Sequence, residues 1–476
     1  MGRYCRRENS FKILSDEELE QIHEASLRVL QEQGLIFEDE KSLALLEEAG
    51  CPVDKERMIA RFPQSVIEKI IKSVPEEFTI EARHPRHNLF FSGKEIYFSN
   101  LAIQRIQDYE TGEVRAAALE DVARMASIID ALEDYHTCFE VCPGILADKP
   151  AEVAPLWIMV ETMRHTEKSV VGSPLYGLPR WVIEIANVVG QKVKSGISSS
   201  SPLAYGNAAC RAVFEFAGAG FPLSVGSGIA SGATGPATLA GSLVLQNAEV
   251  LGGIALVQLV KPGLGVFYGT AGMPMDMRTG RLAGGSIERG LLTVASAQLA
   301  DLYGLPVWSP FPKTTAHSGD EQCGFEKAFQ LILGTMAGIA YSASGGGVTD
   351  GSLICLEQLI IDHEMYGMMG RLLEGIKVNE STLAVEIINS VGHLPGSYLT
   401  QRHTKENWRG ENYLTDICDR TPRGSWIKEG SPDIYRRAHE KVKVILNDHQ
   451  PAPLSDEVEK ELSSLLKAAE REILAG

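Results

Sequence analysis

The chain has 476 residues, with 45 Lys and Arg against 62 Asp and Glu, for a formal net charge of −17. That balance leaves no excess of basic side chains to neutralise phosphates, which argues against a nucleic-acid partner. Hydrophobic residues at 44% and charged residues at 22% are ordinary for a globular protein, and no apolar run reaches the roughly 20 residues of a membrane span without polar interruption.

The first 75 residues read as helices. Ser15 and Glu18 form a capping box ahead of the apolar repeat Leu19, Ile22, Val29, Leu30, and Gly34 ends that helix. A second helix stops at Gly50 and a third runs from Pro63 to Ser73. Residues 78–115 then change period. Phe78 to Ile80, Leu89 to Phe91, Ile96 to Phe98 and Ile103 to Asp108 read as short strands, with a turn at Thr111-Gly112.

From Leu119 onward helices and short strands alternate. The helix spacing places strands near 136–141, 168–172, 197–204, 223–226, 265–269, 306–309 and 339–343, with one more within 95–108. The helix between the fifth and sixth of these is apolar on every side from Ala237 to Val260, so it is expected to be buried all round. Gly235-Pro236 reads as its start, because proline tolerates a first helical position. Eight strands with intervening helices imply an α/β fold, a (β/α)8 TIM barrel, with an open doubly wound sheet as the alternative. The expected division is an N-terminal helical and β-hairpin extension over 1–94, the barrel over 95–375, and a C-terminal lobe with helices over 376–476.

The N-terminus, MGRYCRRENSF, carries charges with no apolar stretch behind them, so it does not read as a signal peptide. The eight cysteines are scattered at positions 5, 51, 138, 142, 210, 323, 355 and 418, which points to reduced thiols and a cytoplasmic location.

In a barrel the chemistry lies where strands end. The segments after the predicted strands are rich in Gly, Ser, Pro and single aromatics, and poor in Asp, Glu, Lys and Arg. Phosphate recognition wants basic residues and glycoside hydrolysis wants paired carboxylates. An aromatic mouth with few formal charges instead suits an apolar or quaternary-ammonium group held by cation–π contacts. By strand-end position, Tyr97, Phe98, Tyr176, Tyr205, Tyr268 and Phe311 are candidate walls, with simple packing as the competing role for each. His317, with Glu321 four residues on, is a candidate proton donor or substrate anchor; capping the next helix is the alternative. His393 and His403 are candidates to reach over the mouth from the C-terminal lobe, or only to fix a loop there.

Other motifs fail. Gly226-Ser227-Gly228 lacks the Gly-Lys of a phosphate loop. No G-x-S-x-G elbow occurs, and His363-Glu364 lacks the second histidine of a zinc protease, so no metal site is expected.

The run TGPATLAGSLVLQNAEVLGGIALVQLVKPG, the Gly284–Glu288 segment, Asp320–Lys327, Tyr398-Leu399 and His403-Thr404 together resemble the trimethylamine methyltransferase family, over roughly residues 15–420. The resemblance implies a TIM barrel that passes a methyl group from an amine to the cobalt of a corrinoid carried by a separate protein. This chain itself would bind no cofactor. Founding members carry pyrrolysine in the barrel mouth, whereas this sequence has only standard residues. It is therefore similar to the non-pyrrolysine branch acting on quaternary amines such as glycine betaine. A betaine carboxylate needs donors deeper in the site, for which His317, Asn207 and backbone N–H groups are candidates. The apolar barrel exterior and the resemblance imply a homo-oligomer. The competing readings are a barrel lyase or decarboxylase on a small acid, which predicts Arg and Lys clustered at strand ends, and a non-catalytic betaine-binding subunit.

Overall fold

A computed structural model describes residues 4–6, 10–102, 105–139, 146–171 and 178–475. Its centre is a curled sheet of eight parallel strands: β1 (Glu95–Asn100), β2 (Thr137–Phe139), β3 (Ser169–Val171), β4 (Ser195–Ser198), β5 (Leu223–Ser227), β6 (Val266–Thr270), β7 (Val307–Ser309) and β8 (Tyr341–Gly345). The hydrogen-bonded order runs β3-β2-β1-β8-β7-β6-β5-β4, and a short N-terminal strand, Tyr4–Cys5, adds antiparallel to β1. The two ends of this order meet at a single parallel bridge between Val171 and Lys194.

Each strand is followed in the chain by a helix: α1 (Leu119–Ala131), α2 (Ala154–Arg164), α3 (Pro179–Val189), α4 (Asn207–Gly218), α5 (Leu239–Val260), α6 (Ile287–Leu302), α7 (Glu321–Ala337) and α8 (Leu356–Glu374). Period-2 alternation sorts the strand side chains into two separate apolar clusters. Ile96, Phe98, Cys138, Val170, Ile197, Val225, Tyr268 and Val307 point outward and pack with the helices. Tyr97, Val171, Phe267, Tyr341, Ala343 and Trp308 point inward, together with Ile80, Leu89 and Phe91 from the hairpin Phe78–Ile80/Leu89–Phe91.

The all-apolar helix α5 is buried as its pattern requires. The N-terminal helices Asp16–Glu32 and Gln64–Ile71 cover one side and the sheet the other. Its length and composition would also fit a membrane span, but 78% of that window is buried inside the protein. Close approach depends on two glycines. A Cβ on Gly252 would lie 2.1 Å from Leu35 Cδ1, and one on Gly253 would lie 2.3 Å from the Tyr205 hydroxyl. Here Pro236 does not start the helix. Thr238 is the residue before its first turn, and the Ser242 hydroxyl instead donates to the Pro236 carbonyl at 2.7 Å.

The Ser15–Glu18 capping box forms as expected. Residues 376–428 contribute one buried hydrophobic side chain, Ile417, and expose Ile376, Leu394 and Leu399 almost fully. Two terminal helices, Ile434–Asp448 and Asp456–Ala475, return to pack on the helices around the sheet: the first against α1 and α8, the second against α2 and α3.

Candidate functional site

The polar residues that interrupt α5 anchor the C-terminal ends of the strands. Glu249 is fully buried and accepts four hydrogen bonds: from Ser199 Oγ at 2.5 Å, Ser201 Oγ at 2.7 Å, Ser227 Oγ at 2.6 Å and the Leu203 N–H at 2.8 Å. One carboxylate thus ties the end of β5 to the segment after β4. Gln246 accepts from Thr270 at the end of β6 at 3.0 Å and donates to Ser296 on α6 at 2.8 Å. Asn247 accepts from the Tyr268 hydroxyl at 3.1 Å and donates to that of Tyr303 at 2.8 Å. Buried polar groups are kept because each is paired.

The rim beyond β6, β7 and β8 is zipped by its own backbone. Thr349 N–H donates to the Ala316 carbonyl at 2.8 Å and Asp350 N–H to that of Thr314 at 2.7 Å. Thr349, Asp350 and Gly351 all have positive φ, at 52°, 55° and 86°. Two non-glycine residues in that region mark stored strain, which persists only where surrounding contacts over-determine it. Those contacts are present. Asp350 accepts from Gly284 N–H at 3.1 Å and Lys313 Nζ donates to its carbonyl at 3.2 Å. Burial raises the Asp350 carboxyl above the usual carboxylate range, against the pull of Lys313.

The segment Asp320–Lys327 supplies the supports. Asp320 caps α7 by accepting from Cys323 N–H at 3.0 Å. Glu326 accepts from Thr314 Oγ1 at 2.6 Å and Thr315 N–H at 2.8 Å. Lys327 pairs with Asp362 at 2.6 Å with both side chains wholly buried, and Asp362 also accepts from Gly346 N–H at 2.6 Å. Arg289 is buried too. It donates to the Gly272 and Pro310 carbonyls and to Ser309 Oγ, linking the ends of β6 and β7, and burial lowers its pKa to about 10.

The inner face of the sheet carries a cation. Lys194, just before β4, is buried with its ammonium 4.9 Å from the Trp308 ring centroid, 5.3 Å from that of Tyr341 and 5.5 Å from that of Phe267. Its one hydrogen bond among the described residues goes to Ser224 Oγ at 3.2 Å. Burial alone pulls its pKa down to about 7. Toward the rim the face opens: Ser198 is exposed and Trp308 is half-buried.

The residues expected as aromatic walls mostly serve other contacts. Phe98 faces outward and stacks on Tyr366 of α8 at 4.3 Å between centroids. Tyr268 also faces outward, to Asn247. Tyr205 stacks on Phe37 and donates to the Glu249 carbonyl at 2.9 Å. Phe311 is wholly buried against Gly334 of α7. The alternation of a strand explains Phe98 and Tyr268: a strand-end position says nothing of which face a side chain takes. Tyr97 does face inward, but its hydroxyl bonds Phe90 of the hairpin plug at 3.0 Å, so it lines the closed end. Burial raises its pKa to about 12. Tyr176 lies outside the described residues.

His317 stands at the rim, exposed, with Nδ1 3.5 Å from Thr349 Oγ1. It does not cap α7, because Asp320 does, and Glu321 is the exposed first residue of that helix. Asn207 is bound to the N-terminal extension, donating to the Glu38 carbonyl at 2.8 Å. His393 and His403 sit on the lobe that leaves the C-terminal end of α8. A helix following a strand runs back along it, so that lobe starts at the end opposite the rim. There Arg371 donates to the Glu411 carbonyl at 3.0 Å. Neither histidine hydrogen-bonds a rim residue among the described ones. Sequence reading missed Lys194 and Trp308. The signal available was parity: Trp308 is out of phase with Val307 and Ser309, and Lys194 with Ser195. Among the described residues no group of three or more His, Cys, Asp and Glu is placed to hold a metal ion.

The framework is a curled parallel α/β sheet whose strand-end segments are held by buried polar supports. The comparisons place it: the chain belongs to the trimethylamine methyltransferase (MTTB) family, whose profile matches residues 2–473. It is 32% identical to the glycine betaine methyltransferase of Desulfitobacterium hafniense strain Y51, over 86% of this chain and 87% of that one. It is 31% identical to the trimethylamine methyltransferase MttB of D. hafniense strain DCB-2, over 96% of this chain and 94% of that one. The fold is similar to that of the monomethylamine methyltransferase MtmB of Methanosarcina barkeri, with a TM-score of 0.54 and 12% identity over 98% of this chain and 89% of that one. The protein is a methyltransferase of this family.

Proposed function

We propose that this chain moves a methyl group from a quaternary amine, glycine betaine above all, to the Co(I) of a corrinoid carried by a separate protein. The observation that carries the reading is the likeness to a glycine betaine methyltransferase along most of both chains. A chain of standard residues, without pyrrolysine, supports the same choice.

The chemistry asks little of ionisable residues. The carbon–nitrogen bond breaks with its electron pair going to nitrogen, which leaves as a neutral tertiary amine, and the acceptor forms the new bond to carbon. No proton moves. The protein's part is to orient one methyl toward the rim and to exclude water around the ammonium. A half-buried Trp308 suits that task. In this reading the sheet is a closed (β/α)8 barrel joined at the Val171–Lys194 bridge, the corrinoid protein docks on the rim, and the chain works as a cytoplasmic homo-oligomer.

The test mixes purified protein and a cognate Co(I) corrinoid protein with glycine betaine, proline betaine, carnitine or trimethylamine. The visible spectrum follows conversion of Co(I) to methyl-Co(III). Conversion with glycine betaine supports the reading, conversion only with another amine changes the substrate, and no conversion with any of the four overturns it.

A further inference from the structure

We propose that the Lys194 ammonium and the indole N–H of Trp308 form an anion subsite at the deep end of the site, which takes the carboxylate of a zwitterionic quaternary amine. This deepens the function proposed above and rests on it.

Two donor groups on the inner face lack acceptors among the described residues. Lys194 has three N–H groups, of which one is used on Ser224. No carboxylate lies within ion-pair distance of it among the described residues. Trp308 Nε1 is buried with no hydrogen-bond partner among the described residues, and so is Ser169 Oγ of β3. The other titratable group facing Lys194 is the Tyr341 phenol, which burial keeps protonated and which is engaged with Thr137 Oγ1 at 2.7 Å. Packing alone does not call for this arrangement. An apolar side chain of the same length would fill the space between Phe267, Trp308 and Tyr341 without an ammonium to desolvate. The ring faces offset part of that cost. A carboxylate would offset the rest and would pair the free indole N–H.

The position fits the chemistry. Trp308 is half-buried where Phe267 and Tyr341 are wholly buried, and the Lys194 ammonium lies 4.9 Å from its centroid. A betaine lying across Trp308 puts its carboxylate toward Lys194 and its ammonium toward the rim. One methyl then points out of the site. A ligand without the carboxylate meets the same buried cation with nothing to neutralise it.

The experiment uses the full chain and two probes, glycine betaine and choline, which share the trimethylammonium group and differ in the carboxylate. Isothermal titration gives Kd for both in wild type, Lys194→Met and Trp308→Phe. Loss of a charge-assisted contact should weaken betaine binding about 10- to 100-fold in Lys194→Met. Choline binding should hold or improve. Trp308→Phe keeps a ring for the ammonium and removes the N–H, so betaine should weaken about 5- to 10-fold, again with choline spared. An unchanged ratio of the two Kd values in both variants overturns the subsite. If Lys194→Met does not fold, the ratio in Trp308→Phe decides alone. Wild-type turnover of glycine betaine on the corrinoid is scored separately, so a failed subsite is not mistaken for a failed function.

Discussion

Replacing Glu249 with alanine should both destabilise the protein and loosen the rim. The carboxylate accepts three serine hydroxyls and the Leu203 N–H, at 2.5 to 2.8 Å. Each bond to a buried charged group contributes about 1.5–3 kcal/mol, but bonds sharing one acceptor do not add, and breaking a buried charged network costs about 3–5 kcal/mol in all. The hydroxyls can turn to new partners; the Leu203 N–H cannot. Leu203 sits at φ 56°, a conformation held in part by that bond. Releasing its strain returns about 1 kcal/mol. The net loss is about 3 kcal/mol. Unfolding entropy near 2.1 cal/mol/K per residue gives about 1 kcal/mol/K for a chain of 476 residues, so Tm should fall by about 3 °C. Glu249→Gln keeps one acceptor and should fall about half as far. Scanning calorimetry at one fixed rate measures both, and titration with glycine betaine reports the rim through weaker binding. A Glu249→Ala protein melting within about 1 °C of wild type would refute the clamp.

Lys327→Met should cost about 3–5 kcal/mol, because Asp362 stays buried without its ionic partner. The double variant with Asp362→Asn should recover part of that in a melting experiment. Gly253→Ala drives a methyl to 2.3 Å from the Tyr205 hydroxyl and 2.5 Å from Val225 Cγ1, so denaturant titration should show a loss of about 1–3 kcal/mol. Adding Tyr205→Phe should relieve some of it. Lys194 gives a pH signature. Its amine releases a proton near pH 7 in the native protein against a usual 10.5. Between those values unfolding takes up a proton, so wild-type stability should gain about 1.4 kcal/mol per pH unit relative to Lys194→Met. Parallel free-energy profiles for the two proteins between pH 7 and 9 would contradict the buried amine.

Alternation of helices and strands was legible because the helices carry apolar patterns longer than the strands, and the strand positions follow from the gaps between them. Thus the strands expected near 223–226 and 306–309 come out as Leu223–Ser227 and Val307–Ser309, and the one within 95–108 as Glu95–Asn100. The site was less legible for two physical reasons. A strand of three to six residues gives period 2 too little length to fix which face is inner, so Phe98 and Tyr268 read as walls when they are core. Contacts far apart in sequence also leave no local mark. Glu249 reads only as an interruption of an apolar helix, yet it reaches back to Ser199, Ser201 and Leu203 and across to Ser227. Asp320, Glu326 and Lys327 belong to the resemblance with the family, and each here supports a loop or a helix end.

The change in where the aromatics lie also changes what selects the substrate. A mouth walled by many rings would bind any methylated ammonium, trimethylammonium and betaine alike, since each ring sees only the positive group. In this fold three inner rings surround the protein's own ammonium on Lys194, and Trp308 is the one of them that is not wholly buried. Attraction from one ring is modest, while a second cation held about 5 Å from its centroid in a poorly solvated site is strongly repelled. A zwitterion escapes that repulsion by placing its carboxylate between the two positive groups. Discrimination then comes from penalising the wrong ligand as much as from holding the right one. The same residue should therefore push the two classes apart: Lys194→Met should narrow the preference for glycine betaine over trimethylamine in the corrinoid assay, by weakening the first and relieving the second.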